Sequence, residues 1–311
     1  HETVVQALIE AAADINKATN EGSTPLYVAA YRGYEAVVRA LIEGGVDINK
    51  ASDNGATPLY IAAQEGHETV VQALIEAAAD INLATDIGVT PLYIAVQEGH
   101  EAVLRALIEA AADINKARDD GTTPLYIATQ EGHEAVLRAL IEAGADNNKA
   151  RDNGATPLYI ATQEGHEAVV RALIEAGADI NLATDDGTTP LYIATQKGRD
   201  AVVRALIELG ADVNQATDMG VTLLYVGAHK GHEAVVWALM LAAADVNKAK
   251  DTGTTPLYVA AQNGHEAVLR ALIEGGADIN KARVGGRTPL RIAVKKCHDA
   301  IVQFLRDAGA V

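Results

Sequence analysis

Histidine, carboxylate and thiol are the side chains here with chemistry to offer, and their spacing decides which chemistry that is. His1, His67, His100, His133, His166, His232, His265 and His298 share one register with a period of 33 residues. Metal ligands on a helix stand three or four residues apart. An interval of 33 therefore reads as a helix-start residue repeated with a structural unit, not as a ligand set. The acidic pairs Asp119-Asp120 and Asp185-Asp186 lack the D-x-[DN]-x-[DN]-G spacing of a calcium loop and read as solvated turn tips. Carboxylate pairs suited to acid–base work are plentiful in so acidic a chain, but none stands apart as a site. There is no phosphate loop and no G-x-S-x-G. The one cysteine, Cys297, excludes a disulfide framework and a Cys-rich zinc site. It fills a slot that holds glycine from Gly33 to Gly264, where positive φ costs another residue about 1 kcal/mol. Neither a catalytic site nor a metal or cofactor is expected.

Composition narrows the classes further. The chain has 311 residues, with 25 Lys and Arg against 42 Asp and Glu, a formal charge of −17. Neutralising phosphates needs clustered cations, so a nucleic-acid partner is not expected. No run of eighteen apolar residues exists, which excludes a membrane-spanning helix and any expectation of a membrane partner. An apolar fraction of 49% is too high for a disordered acidic chain. A single thiol fits a reducing compartment such as the cytosol.

The elements that position these residues follow from an internal repeat. All eight prolines, Pro25, Pro58, Pro91, Pro124, Pro157, Pro190, Pro256 and Pro289, lie on a 33-residue grid, with Leu223 in the one vacant slot. Units begin at residues 20, 53, 86, 119, 152, 185, 218, 251 and 284, and units 119–151 and 152–184 agree at 27 of 33 positions. In unit 119–151, residues 119–121 form a turn. Thr123-Pro124 reads as an N-cap followed by proline in the first helical position. Leu125 to Gln130 is then a short helix ended by Gly132. His133-Glu134 opens a second helix that places Val136, Leu137, Leu140 and Ile141 on one side. Glu134, Arg138 and Glu142 form an ion-pair ladder on the other. Gly144 ends this helix, and an extended lead-out follows. One such unit cannot bury its apolar side alone, but stacked units can. At helix spacings of about 8–10 Å, nine units predict an arc of roughly 80–90 Å.

The motif TPLYIA at 123–128, followed by GHEAVLRALIEAGAD at 132–146 and repeated along the chain, resembles the ankyrin repeat family. The resemblance implies an all-α solenoid of stacked helix-turn-helix units with protruding turns or short hairpins. It also implies binding of other proteins on a concave side made of turn tips and first helices, and it brings no catalytic residue. One departure is systematic. The family's TPLH histidine is Tyr27, Tyr60, Tyr93, Tyr126, Tyr159, Tyr192, Tyr225 and Tyr258 here, and Arg291 in the last unit. A tyrosine hydroxyl reaches further than an imidazole, so an altered turn geometry is expected.

The expected organisation is one continuous domain: residues 1–19 as the back part of a unit, eight full repeats over 20–283, and a capping repeat over 284–311. Residues 1–16 repeat residues 67–82 without polar substitution, as the start of a chain within a longer array would. The last unit carries five basic residues against two acidic ones, and Arg306 takes the apolar slot of Ile273, which suits a cap.

Departures from the chain's own pattern mark candidate contacts. Ile87 and Val89 make an apolar turn tip, with Val96 in the helix that follows. Met219 and Val221 make a second such tip, with His229 in place of the usual glutamine. Trp237 and Leu241 replace an exposed Arg and Glu four residues apart, and an exposed apolar pair suits a partner or self-association. Gln64-Glu65, Gln97-Glu98, Gln130-Glu131 and Gln163-Glu164 repeat in register, and the glutamate slot then becomes Lys197, Lys230, Asn263 and Lys296. That change of sign favours a partner of opposite polarity. The function these features predict is a non-catalytic scaffold that binds a partner protein. The alternative is a structural spacer, spring or self-assembling array. Ala78, Ala111 and Ala243 in helix-ending glycine slots, and Asn147 in an Ile/Val slot, mark the expected weak places.

Overall fold

The structure is a computed structural model that describes residues 2–217 and 219–311. His1, first of the histidine register, and Asp218, which opens unit 218–250, lie outside the described residues. The chain divides into two compact units, His1–Asp152 and Asn153–Val311.

The described residues form helices joined by tight turns. In the first unit these are α1 (Glu2–Glu10), α2 (Pro25–Tyr31), α3 (Glu35–Glu43), α4 (Pro58–Gln64), α5 (Glu68–Glu76), α6 (Pro91–Gln97), α7 (Glu101–Glu109), α8 (Pro124–Glu131) and α9 (Glu134–Glu142). In the second they are α10 (Pro157–Glu164), α11 (Glu167–Glu175), α12 (Pro190–Lys197), α13 (Asp200–Glu208), α14 (Leu223–Lys230), α15 (Glu233–Leu241), α16 (Pro256–Asn263), α17 (Glu266–Glu274), α18 (Pro289–Lys296) and α19 (Asp299–Asp307). Short and long helices alternate, as the 33-residue pattern predicts. Extended pairing among the described residues is limited to two isolated antiparallel bridges, Ala216 with Thr222 and Arg283 with Arg287.

The Thr-Pro pair does what its chemistry predicts. Thr57, Thr90 and Thr123 have extended backbones, and each Oγ1 accepts the N–H of the tyrosine three residues on at 3.1 Å. This satisfies one of the helix's orphan donors. Proline follows, where its missing N–H leaves no bond unmade. Leu223 shows that proline is dispensable: Thr222 still caps α14, accepting from the Tyr225 N–H at 3.2 Å.

Within each unit, short helices pack on short helices and long on long, as α4 does on α6 and α5 on α7. Each short helix also packs on the long helix that follows it. The long helices bury one stripe, Val70, Val71, Ala73 and Leu74 in α5. Fully burying a side chain such as Leu74 contributes about 1.5–3 kcal/mol. The ion pairs differ from the expected ladder. Arg39 holds Glu35 one turn back at 2.9 Å, but its second partner is Glu76 of the next repeat, also at 2.9 Å, and not Glu43 of its own helix. A guanidinium with several donors can bridge two helices at stacking distance.

Candidate functional site

The glutamine–glutamate ends of α4, α6 and α8 form one row in the first unit, because these three helices pack successively on one another. Glu65, Glu98 and Glu131 are all exposed. Gln97 and Gln130 donate through Nε2 to the neighbouring glutamates at 3.2 and 3.1 Å, which holds those carboxylates at the helix ends. Tyrosines line the same helices. Burial raises the pKa of Tyr27 and Tyr60, and the nearby carboxylates Glu65 and Glu98 raise them further. The half-buried Tyr27 and Tyr60 thus each lie near a carboxylate of the following repeat. In the second unit Gln163 donates to Glu164 at 2.9 Å. The exposed slot then carries Lys197 and Lys230 at the ends of α12 and α14, and Lys296 at the end of α18.

The turn tips add a second layer. Ile87 and Met219 are exposed, as an apolar contact tip requires. Val89 and Val96 are not: they are 4% and 0% exposed. Val89 accepts the Thr85 N–H that closes the turn, and Val96 sits on the buried side of α6. Both are packing residues, so the reading of these two as partner contacts is corrected. Val221 is half-buried and its backbone closes the equivalent turn with Thr217. His229 is exposed, stacked on Tyr225 with ring centroids 6.3 Å apart. Partial burial lowers its pKa, and the neighbours Lys230, His265 and Lys250 lower it further. Trp237 and Leu241 lie on α15, a long helix, whereas the glutamine–glutamate pairs lie at the ends of short helices.

Three features escape a reading of single units. The register histidines begin the long helices without a side-chain cap bond. Instead the rings of His67, His100, His133, His232, His265 and His298 reach back one repeat, His67 Nε2 to the Tyr31 carbonyl at 3.0 Å and His100 Nε2 to that of Gln64 at 2.9 Å. Arg199 does the same through Nε to Gln163 at 3.2 Å. The His67 ring lies so close over Gly33 that an added Cβ would sit 2.8 Å from it, and Gly33 has φ +71°. Glycine is thus needed there twice over. Cys297 nonetheless takes the left-handed conformation, at φ 58°.

Asparagines build a second strap along the lead-outs. Asn16, Asn49 and Asn82 accept through Oδ1 from the backbone N–H of Asp47, Asp80 and Asp113, at 2.8 to 2.9 Å. The third feature answers the Tyr-for-His departure. A cation 25 residues after the tyrosine lies over its ring: Arg118 on Tyr93 at 5.8 Å, Arg151 on Tyr126 at 5.2 Å, Lys250 on Tyr225 at 5.0 Å and Arg283 on Tyr258 at 5.8 Å. Tyr93, Tyr126 and Tyr258, each under an arginine, are buried; Tyr27, Tyr60 and Tyr192, with Ser52, Thr85 and Thr217 in that slot, are half-buried. Burial raises the Tyr93 pKa, with Arg118 opposing it. Arg151 also bonds Asp120 at 2.8 Å. Burial alone would raise the Asp120 carboxyl, but hydrogen bonds from Thr122 and the two arginines bring it below the usual range. The signal for these lids was present as a Tyr-to-Arg interval of 25, visible only by comparing slots between units.

Among the described residues, no group of three or more His, Cys, Asp or Glu is arranged to hold a metal ion. No helix among them is long and apolar enough to cross a membrane.

Known proteins agree with this architecture. The family pattern described as ankyrin repeats in three copies matches residues 1–85, 79–151, 114–184, 147–217, 182–250 and 223–311. No curated protein sequence matches the chain. Among solved structures, the crystal structure of the human ASB11 ankyrin repeat domain is similar, with a TM-score of 0.63 and 29% identity. The match covers 71% of this chain and 99% of that one. With its 33-residue units, Thr-Pro caps and stacked helix pairs, the chain belongs to the ankyrin repeat family, whose members are in general scaffolds for protein–protein interaction and typically non-catalytic.

Proposed function

We propose that this chain is a non-catalytic scaffold that binds a partner protein along the ends of its short helices and the adjoining turn tips. The observation that carries this reading is the ordered row of exposed carboxylates, Glu65, Glu98 and Glu131, the first two near the half-buried Tyr27 and Tyr60. Such a row fits a basic stretch of a partner, and Tyr is a side chain favoured at interfaces. In the second unit the slot changes from Glu164 to Lys197 and Lys230, which suits an acidic stretch. The exposed tips Ile87 and Met219 add apolar anchors of the kind that dominate binding energy. A pure spacer needs no such variation from unit to unit.

The test is affinity capture from source-cell lysate, read by mass spectrometry. Wild type is run beside the triple variant Glu65→Gln, Glu98→Gln, Glu131→Gln, and beside Trp237→Arg, Leu241→Glu. A protein retained by wild type and the second variant, lost by the triple variant and weakened by salt, supports the reading. Identical capture by wild type and the triple variant, or capture of nothing, sinks it.

A further inference from the structure

The second surface, on the long helices of the second unit, has its own logic. Two long-helix arginines bridge to the glutamate 37 residues on, Arg39 to Glu76 at 2.9 Å and Arg171 to Glu208 at 3.0 Å, while Arg105 pairs with Glu101 of its own helix. Applied to Arg204 on α13, the same step lands on Leu241. Applied backwards from Glu274 on α17, it lands on Trp237. The two substitutions on α15 therefore remove the acceptor of one bridge and the donor of the next. Arg204 and Glu274 are both exposed, and neither forms an ion pair among the described residues. Leu241 is 78% exposed, whereas Trp237, expected to be exposed, is half-buried. An apolar pair thus stands between an unpaired cation on one flank and an unpaired anion on the other.

The six residues concerned form two levels across α13, α15 and α17. One level reads Arg204, Trp237, Arg270; the other, one helical turn on, reads Glu208, Leu241, Glu274. A two-fold axis along the row of helices, passing between the levels, lays each level of one copy over the opposite level of a second copy. Trp237 then faces Leu241, Arg204 faces Glu208, and Arg270 faces Glu274. A two-fold axis along the helices would instead set Arg204 against Arg270 and Glu208 against Glu274, which like-charge repulsion forbids.

We infer that this face is a self-association site whose partner is a second copy of the same chain, with the two α15 helices antiparallel in an isologous dimer. It is independent of the short-helix surface proposed for a partner protein. The patch spans only three helices, which fits a weak dimer that dissociates in the micromolar range.

The experiment is sedimentation equilibrium across that concentration range, with circular dichroism and a thermal melt for each variant. Trp237→Arg and Leu241→Glu restore the residues that neighbouring units carry in those slots, so the fold tolerates them. Wild type is expected to pass from monomer to dimer, and Leu241→Glu to weaken association at least tenfold. Arg204→Glu is expected to weaken it as well, since Arg204 has no ion-pair partner of its own among the described residues. A wild type that stays monomeric overturns the proposal and leaves the patch to a different protein. A dimer that survives Leu241→Glu overturns it, and so does one that survives Arg204→Glu.

Discussion

Helices α1 and α5 have the same nine residues, ETVVQALIE, and live in the same unit with different neighbours. In α5, Val70 and Leu74 are 0% exposed; their counterparts in α1, Val4 and Leu8, are 62% and 52% exposed. Helix α5 packs on the short helix α4 and on long helices to both sides, α3 and α7. Helix α1 packs on α3, and beside it runs an open apolar groove of about 500 Å³ lined by Val5, Leu8, Ile9, Val28 and Tyr34, among others. Identical local sequence therefore yields a core in one place and a partly exposed apolar surface in the other. In a stacked array burial belongs to the interface between units, and stability is a sum over such interfaces.

Truncation is the most forceful way to break this comparison. Leu74→Ala should cost about 3 kcal/mol, since it opens a cavity among side chains that have no room to collapse. Leu8→Ala, at a site already half open to water, should cost less than about 1 kcal/mol. Amide hydrogen exchange in α5 and its neighbours reads the first loss, and exchange in α1 reads the second. Equal losses would show that the groove beside α1 is filled in solution.

A backbone substitution sharpens the comparison from the other side, because strain is local where burial is not. Both helices end on an alanine in the left-handed region, Ala12 at φ 56° and Ala78 at φ 62°. The related slots Ala111 and Ala243 have φ 62° and 61°. Relief of about 1–2 kcal/mol of left-handed strain, less the freedom glycine gains in the unfolded chain, leaves a net gain of about 0.5–1 kcal/mol. Ala12→Gly and Ala78→Gly should therefore stabilise their helix ends alike, although packing differs so widely. Urea titration of each variant followed by exchange at the helix end checks this. A gain at Ala78 alone would mean that the strain depends on stacking.

What was legible in the sequence follows the same division. The Thr-Pro caps, the glycine stops and four of the five left-handed alanine and cysteine slots, Ala78, Ala111, Ala243 and Cys297, could be read because they are decided within one unit, by backbone geometry. The histidine strap, the asparagine strap and the arginine lids join residues 36, 31 and 25 apart, and their partners exist only once units have stacked. Val89 and Val96 were misjudged for the same reason. Their slots hold small or polar residues elsewhere, which suggests exposure, yet the stack closes over them. The carboxylate row at Glu65, Glu98 and Glu131 was visible as a sequence pattern. Its alignment beside the tyrosines was not, because that requires the helices to be laid side by side.

The smallest expected effect probes the polar edge of the same pair of helices. Glu76 on α5 accepts from Arg39 at 2.9 Å, whereas its counterpart Glu10 on α1 has no salt bridge among the described residues. Both partners of the Arg39 bridge are largely exposed, and exposed pairs contribute little because water and salt screen them. Glu76→Gln should therefore lower stability only marginally at low ionic strength and not at all at high salt, while Glu10→Gln should be silent at both. A double-mutant cycle with Arg39→Gln isolates the pair. A coupling that survives high salt would mean that the bridge orders the stack, and that the contrast between α1 and α5 has a polar component besides the apolar one.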